Sequence, residues 1–269
     1  MIEARTQTGA EINAVLEARG LRLKRGARVV LENVSLALQS GQVAAIIGPN
    51  GSGKSTLLAA LAGLRKLEDG AGEILLEHKS VTSFSKPQLS RRIAFLPAST
   101  GVPFPLTVAE LIDQATPKPQ ARAAAIQAME LESLEFVPIT RLSTGESRRA
   151  WLAMTLARET PVLLLDEPLS GLDPRYQMRL LETLESRAAN GVSVLLVAHD
   201  LPYASRVNRV IALGNQPNAG SNKISSVLAD GPPLEVLQPT FLRSLYGVNV
   251  WIGRDLETGA VFPFPTKAV

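Results

Sequence analysis

The chain contains no cysteine in its 269 residues. Disulfides, cysteine-held zinc and cysteine-held iron–sulfur clusters are thereby excluded, and a reducing compartment is compatible. Long apolar runs are also missing: none approaches the roughly 18 residues that cross a bilayer. The opening MIEARTQTGAEI lacks the charged-then-apolar layout of a signal peptide. A cytoplasmic protein is therefore expected, with any membrane role reached through a partner. Charge of one sign is scarce too. The net charge is +3, with no long basic run, so charge gives no reason to expect a nucleic-acid partner. What the chain does have is apolar residues, 45% of the total, enough for a globular core. Its length suits one large domain, or a core with a subdomain.

The most informative stretch is Gly48, Pro49, Asn50, Gly51, Ser52, Gly53, Lys54, Ser55, Thr56. It fits the phosphate-binding P-loop pattern G-x-x-x-x-G-K-[ST]. QVAAII (42–47) before it reads as a buried strand, and STLLAALAGL (55–64) after it as a helix with an apolar face. Three glycines let backbone N–H groups turn toward an anion, and the helix start adds a positive dipole end. In this pattern Lys54 reaches the β and γ phosphates, and the Ser55 hydroxyl sits on Mg²⁺.

Alternating apolar residues predict antiparallel strands over 14–24 and 27–39. Short strands are expected at 73–76 and 92–96, and a short helix at 86–91. Helical periodicity without a strand then runs through 108–115, 121–131 and 145–158, so residues 99–158 read as a helical insertion. Strands at 162–165, 193–198 and 209–213, with a helix over 174–189, restore the alternation of a mainly parallel α/β sheet. The first ten or so residues read as a loose tail, and residues 215–223 as an added surface loop.

Three further places carry chemistry. VLLLDEP (162–168) ends an apolar strand in two acids, at the strand end where open α/β sheets bind ligands. There Asp166 can hold Mg²⁺ and Glu167 can polarise an attacking water. LSTGE (142–146) opens a helix. Ser143 and Glu146 form a capping box, but a helix start is also an anion site, and local physics does not choose between them. His199 ends the apolar run 193–198 and is followed by Asp200. If that strand lies beside the P-loop strand, the imidazole can reach a γ-phosphate oxygen.

In order, GPNGSGKST (48–56), LSTGE (142–146), VLLLDEP (162–168), SGLD (170–173) and AHD (198–200) resemble the ATP-binding cassette (ABC) ATPases along most of the chain. The resemblance implies a RecA-like P-loop core over 1–269, an antiparallel β portion, and an inserted helical subdomain over 99–158. It implies ATP and Mg²⁺ as cofactors and a dimer of two ATPase subunits sandwiching two ATP molecules. On this basis Ser143 and Gly145, with Thr144 and Glu146 beside them, bind the γ-phosphate in trans. Glu167 is the catalytic carboxylate, Asp173 belongs to the loop crossing the dimer interface, and His199 is the switch histidine.

LADGPPLEVL (228–237) and LYGVNV (245–250), in a C-terminal extension over 215–269, resemble importer ATPases for iron–siderophore, haem and cobalamin complexes. That resemblance implies transmembrane permease subunits as partners, a substrate-binding protein served indirectly, and a place on the inner face of the cell membrane. Three residues depart from the family pattern. Ala98 stands where a glutamine is usual, and a methyl group can neither ligate Mg²⁺ nor hydrogen-bond a water. Arg25 stands where an aromatic ring stacks on adenine, and its guanidinium plane can stack instead. Thr144 replaces a glycine in the signature. A soluble cassette ATPase of translation or DNA repair is a second reading, set against one cassette and no sustained heptads. A degenerate nucleotide-sensing subunit is a third.

Overall fold

The structure, a computed structural model, describes residues 14–101, 105–215, 224–255 and 261–268. The expected loose tail before residue 14 and most of the expected loop at 215–223 lie outside the described residues.

The P-loop strand sits near the middle of a ten-stranded mixed sheet. β1 (Ala14–Arg25) and β2 (Arg28–Gln39) form a long antiparallel hairpin, and β4 (Glu73–Leu76) and β5 (Lys79–Ser80) extend it on the β1 side. β3 (Val43–Ile47) carries the P-loop and lies parallel between β8 (Ser193–Val197) and β9 (Arg209–Asn215). β7 (Val162–Leu165) follows β8, and β6 (Ile93–Leu96) closes that edge. One strand joins the halves. β10 (Ser225–Gly231) pairs antiparallel with β9 and touches β2 at Ser225 and Leu31.

The parallel strands are buried on both faces, so they read as unbroken apolar runs. Alternate residues then serve opposite cores. Val43, Ala45, Ile47, Leu163 and Leu165 face one core. It is filled from α3 (Val108–Asp113), α4 (Pro119–Ala128), α5 (Thr144–Ala157) and α6 (Pro174–Ala189). Ala44, Ile46, Val162 and Leu164 face the other, against α1 (Lys54–Leu61) and the inward residues of β1, β2 and β4. The short α2 (Lys86–Ser90) opens on a capping box from Ser85 and Gln88.

Helix ends differ from the expected ones where local chemistry intervenes. α4 starts at Pro119, whose fixed φ suits a first helical turn, and it stops before Glu130, which has φ 49°. β9 runs two residues further than expected, because β10 supplies its hydrogen-bond partners.

Beyond residue 200 the sequence reading leaves several elements unassigned. These are α7 (Leu201–Ala204), β10, α8 (Pro233–Val236) and α9 (Pro239–Tyr246). After them β11 (Val248–Arg254) and β12 (Val261–Ala268) form a separate antiparallel hairpin. α9 buries Leu242 and Leu245 and ends on Gly247, whose left-handed backbone turns the chain into β11. The hairpin carries a tilted Trp251–Phe264 ring pair, centroids 5.9 Å apart, on its exposed side.

Candidate nucleotide-binding and catalytic site

The P-loop shape follows from its neighbours. Gly48 has φ 150°, and a Cβ there would land on the carbonyl of Leu213 in the adjacent β9. Backbone of a packed strand cannot yield, so only glycine fits. Gly53 caps α1 at φ 92°, where a Cβ would press on Leu31 at 2.8 Å. Lys54 is buried and folds back on its own loop, donating to the Gly48 carbonyl at 2.7 Å and the Pro49 carbonyl at 3.0 Å. Burial draws its ammonium below the usual lysine range, against the pull of Glu167 and Asp166.

Asp166 and Glu167 follow β7, two strands from the P-loop strand. Asp166 is 2% exposed, and the Ser55 hydroxyl lies near enough to favour its charged form. Burial raises its pKa, with the nearby Ser55 hydroxyl opposing, while its Oδ1 has no hydrogen-bond partner. An orphaned buried carboxylate oxygen beside a hydroxyl is the oxygen donor set that a small hard cation takes. Among the described residues no cluster of three or more His, Cys, Asp or Glu could hold a metal by itself. Mg²⁺ is held by one or two protein oxygens together with substrate phosphates, and Ser55 and Asp166 are the oxygens here that could serve.

Glu167 has a left-handed backbone, φ 51°, a conformation costing on the order of 1–3 kcal/mol for a residue with a Cβ. Its Oε1 lies 2.7 Å from Nε2 of His199, which follows β8, the direct neighbour of the P-loop strand. Glu167 and His199 line a cleft of about 420 Å³ with Asn50 and Ser170. They also border a second cleft of about 150 Å³, where Arg25 and Val30 meet Gly51, Gly53, Lys54 and Ser55. Arg25, P-loop, acids and histidine thus converge, although they are spread over 175 positions of sequence.

The signature residues do not line these clefts. Ser143 caps α5, its hydroxyl and N–H donating to Glu146 Oε2 at 2.7 and 2.8 Å, and Glu146 N–H returns a bond at 3.3 Å. These bonds from the Ser143 side chain and backbone hold the Glu146 carboxyl below the usual range. The capping box is therefore formed within one chain. Gly145 packs on Gly171, whose carbonyl oxygen would be 3.1 Å from a Cβ at position 145, and Thr144 lies beside the same residue. Asp173 is exposed at the N-cap of α6 and makes no side-chain cap bond.

Two residues here escaped the sequence reading. Arg148, in α5, is 6% exposed and donates to the backbone carbonyls of Asp166 and Ala98. Its signal was an arginine four positions before Leu152, on the buried face of the helix. Tyr246, at the end of α9, accepts a hydrogen bond from Gly48 N–H at 2.9 Å. Nothing local at residue 246 points to residue 48.

A family model described as ABC transporter matches residues 31–170, just over half of the chain. This chain belongs to the ABC transporter family. The cassette is 37% identical over 252 residues to the hemin import ATP-binding protein HmuV of Bordetella pertussis, covering 87% of this chain and 92% of that one. The HmuV protein of Streptomyces coelicolor is 35% identical over 261 residues, with 93% and 90% covered. Among solved structures, one described as "an inward-facing conformation of a putative metal-chelate type ABC transporter" matches with a TM-score of 0.75 at 22% identity, covering 96% of this chain and 98% of that one. A dimeric bacterial ABC transporter cassette matches with a TM-score of 0.68 at 24% identity, covering 81% and 98%. The cassette has the RecA-like P-loop fold with a mixed sheet and inserted helices.

Proposed function

We propose that this cassette hydrolyses ATP to drive import of a haem- or siderophore-type metal chelate. Two copies would act beneath a transmembrane permease on the inner face of the membrane. The observation that carries the catalytic part is the Glu167–His199 contact at the mouth of the P-loop cleft. The names of the hemin-import relatives supply the cargo class.

ATP would lie with its phosphates on the P-loop amides and its base near Arg25 and Val30. Lys54 would exchange its two loop carbonyls for phosphate oxygens, bringing a buried positive charge to the transferred group. Ser55 and Asp166 would hold Mg²⁺, which neutralises phosphate charge when bound. Glu167 would orient the attacking water and His199 would steady Glu167 and the γ-phosphate. Ser143 and Gly145 would approach that phosphate from a second copy, because within one chain they lie away from the cleft.

A separate, mainly apolar groove of about 440 Å³ is lined by Leu64, Leu89, Phe95 and Met154, with Lys86 and Arg158 at it as well. Leu64 is 65% exposed there. We assign this apolar groove to a permease segment.

The test uses Glu167→Gln, which keeps the shape and removes the base. The expected result is an ATP-bound dimer on size-exclusion chromatography, and recovery of a polytopic permease when that protein with Mg-ATP is bait in solubilised native membranes. Wild-type turnover by the variant, or recovery of soluble ribosomal or DNA-associated partners alone, overturns the reading.

A further inference from the structure

Arg148 bonds four backbone carbonyls with one guanidinium. Its Nη1 donates to Pro97 O at 3.1 Å and Ala98 O at 3.3 Å. Its Nη2 donates to Asp166 O at 2.8 Å and Glu167 O at 2.7 Å. The first two carbonyls leave β6 toward the helical segment, and the last two belong to the acids that follow β7. The side chain itself comes from α5, five residues after the Ser143 cap. Three parts of the cassette therefore meet at one buried group.

The planar fork of arginine suits this work, because it presents several donors at fixed angles. A carbonyl is offered by whatever residue stands at a position, so the link to position 98 survives although alanine has no side chain able to make it. Glu167 needs such a restraint. Its left-handed backbone persists only where neighbours over-determine it. Its carbonyl also accepts from Ser170 N–H at 3.1 Å, so the peptide that aims its side chain is held from two sides.

We propose that Arg148 is a positioning residue that sets the aim of Glu167 and ties it to the orientation of the signature helix. The residue touches no substrate. It rides on the same rigid α5 as Ser143, about 7.5 Å along the axis at 1.5 Å per residue. A push on the head of α5 by nucleotide held on a second copy moves the guanidinium, and with it the peptide of Glu167 and the strand-end at Ala98. The chain then has a route between signature and catalytic carboxylate that needs no side chain at position 98. This inference rests on the ATPase reading of the same site.

The experiment compares wild-type, Arg148→Lys and Arg148→Met as full-length chains. It measures Mg-ATP affinity, steady-state hydrolysis, melting temperature, and ATP-driven dimerisation with Glu167→Gln added to each. Arg148→Lys keeps the charge but not the fork, and guards against a Met variant that fails to fold. The expected result is a kcat lower by about 10- to 100-fold, the scale of a misplaced catalytic group, with Kd for Mg-ATP within about threefold. Dimerisation persists, and Met loses more activity than Lys. Variants that match wild-type kcat within about twofold overturn the inference and leave the ATPase reading standing. So does a parallel fall of kcat, affinity and melting temperature, which marks a merely structural role. A wild-type chain that turns over no ATP overturns both.

Discussion

The hydroxyl of Tyr246 accepts the backbone N–H of Gly48 at 2.9 Å, so the last turn of α9 holds the first glycine of the P-loop. Burial pushes the Tyr246 phenol up to about 12, with the Gly48 bond opposing. Tyr246→Phe keeps the ring and removes the acceptor. Its expected cost is about 1 kcal/mol in stability, with a several-fold higher KM for ATP, read by thermal melting and steady-state kinetics. The pH dependence has a definite sign. The folded phenol titrates above the unfolded one, so its contribution is full below about pH 10 and is lost as pH rises toward 12. Roughly 2–3 kcal/mol disappears across that window in the wild type and not in Tyr246→Phe, which alkaline unfolding curves would resolve.

Asp166, proposed above to hold Mg²⁺, carries a burial penalty in the empty fold. Burial raises its pKa, so its penalty is absent at acid pH and present once the folded carboxyl ionises. Asp166→Asn is expected to raise the melting temperature at neutral pH without nucleotide by a few degrees, about 1–2 kcal/mol. The gain shrinks as pH falls through the carboxylate range. The same variant should lose the further stabilisation that Mg-ATP gives the wild type. Differential scanning fluorimetry across pH, with and without Mg-ATP, checks both.

Ser143 and Glu146 separate two roles that the sequence left entangled. Each supports the cap of α5, but only Ser143 is assigned to a phosphate on a second copy. Ser143→Ala should cost about 1 kcal/mol and abolish the ATP-bound dimer of Glu167→Gln. Glu146→Ala should weaken the cap and leave that dimer in place on size-exclusion chromatography. Equal loss of dimer in both variants would make the cap the whole explanation.

Leu64 tests the proposed seat of a permease segment. Leu64→Glu places a charge on an exposed apolar spot without touching the nucleotide cleft. ATP turnover of the isolated chain should stay within about twofold, as for most surface substitutions away from a site. Recovery of permease in the membrane pull-down should fall sharply.

The sequence made the parallel half of the fold legible because its strands are buried on both faces and bounded by motifs. Val162, Leu163, Leu164 and Leu165, followed by Asp166, announce both a strand and its ligand end. The C-terminal elements were not legible. β11 and β12 pair mainly with each other, and prolines at 263 and 265 mask the strand pattern of β12. The convergence of Arg25, Glu167 and His199 on the P-loop depends on strand order, which no local pattern encodes. Arg148 stands on the buried face of α5, but the four carbonyls it serves come from segments that the helix pattern does not name.

The order of strands also sets an order of events in time. β3 is made early, yet its two neighbours are β8 and β9, from the last third of the chain. Until those segments leave the ribosome, the P-loop strand has no partner in the sheet. The β1–β2 hairpin, by contrast, can close as soon as residue 39 has emerged. A nascent cassette therefore carries its phosphate loop unformed through most of synthesis, exposed to the hazards of slow, non-local pairing. The loop can take its final shape only after residue 215, the end of β9, has emerged, so the most ligand-like part of the chain is among the last to be set.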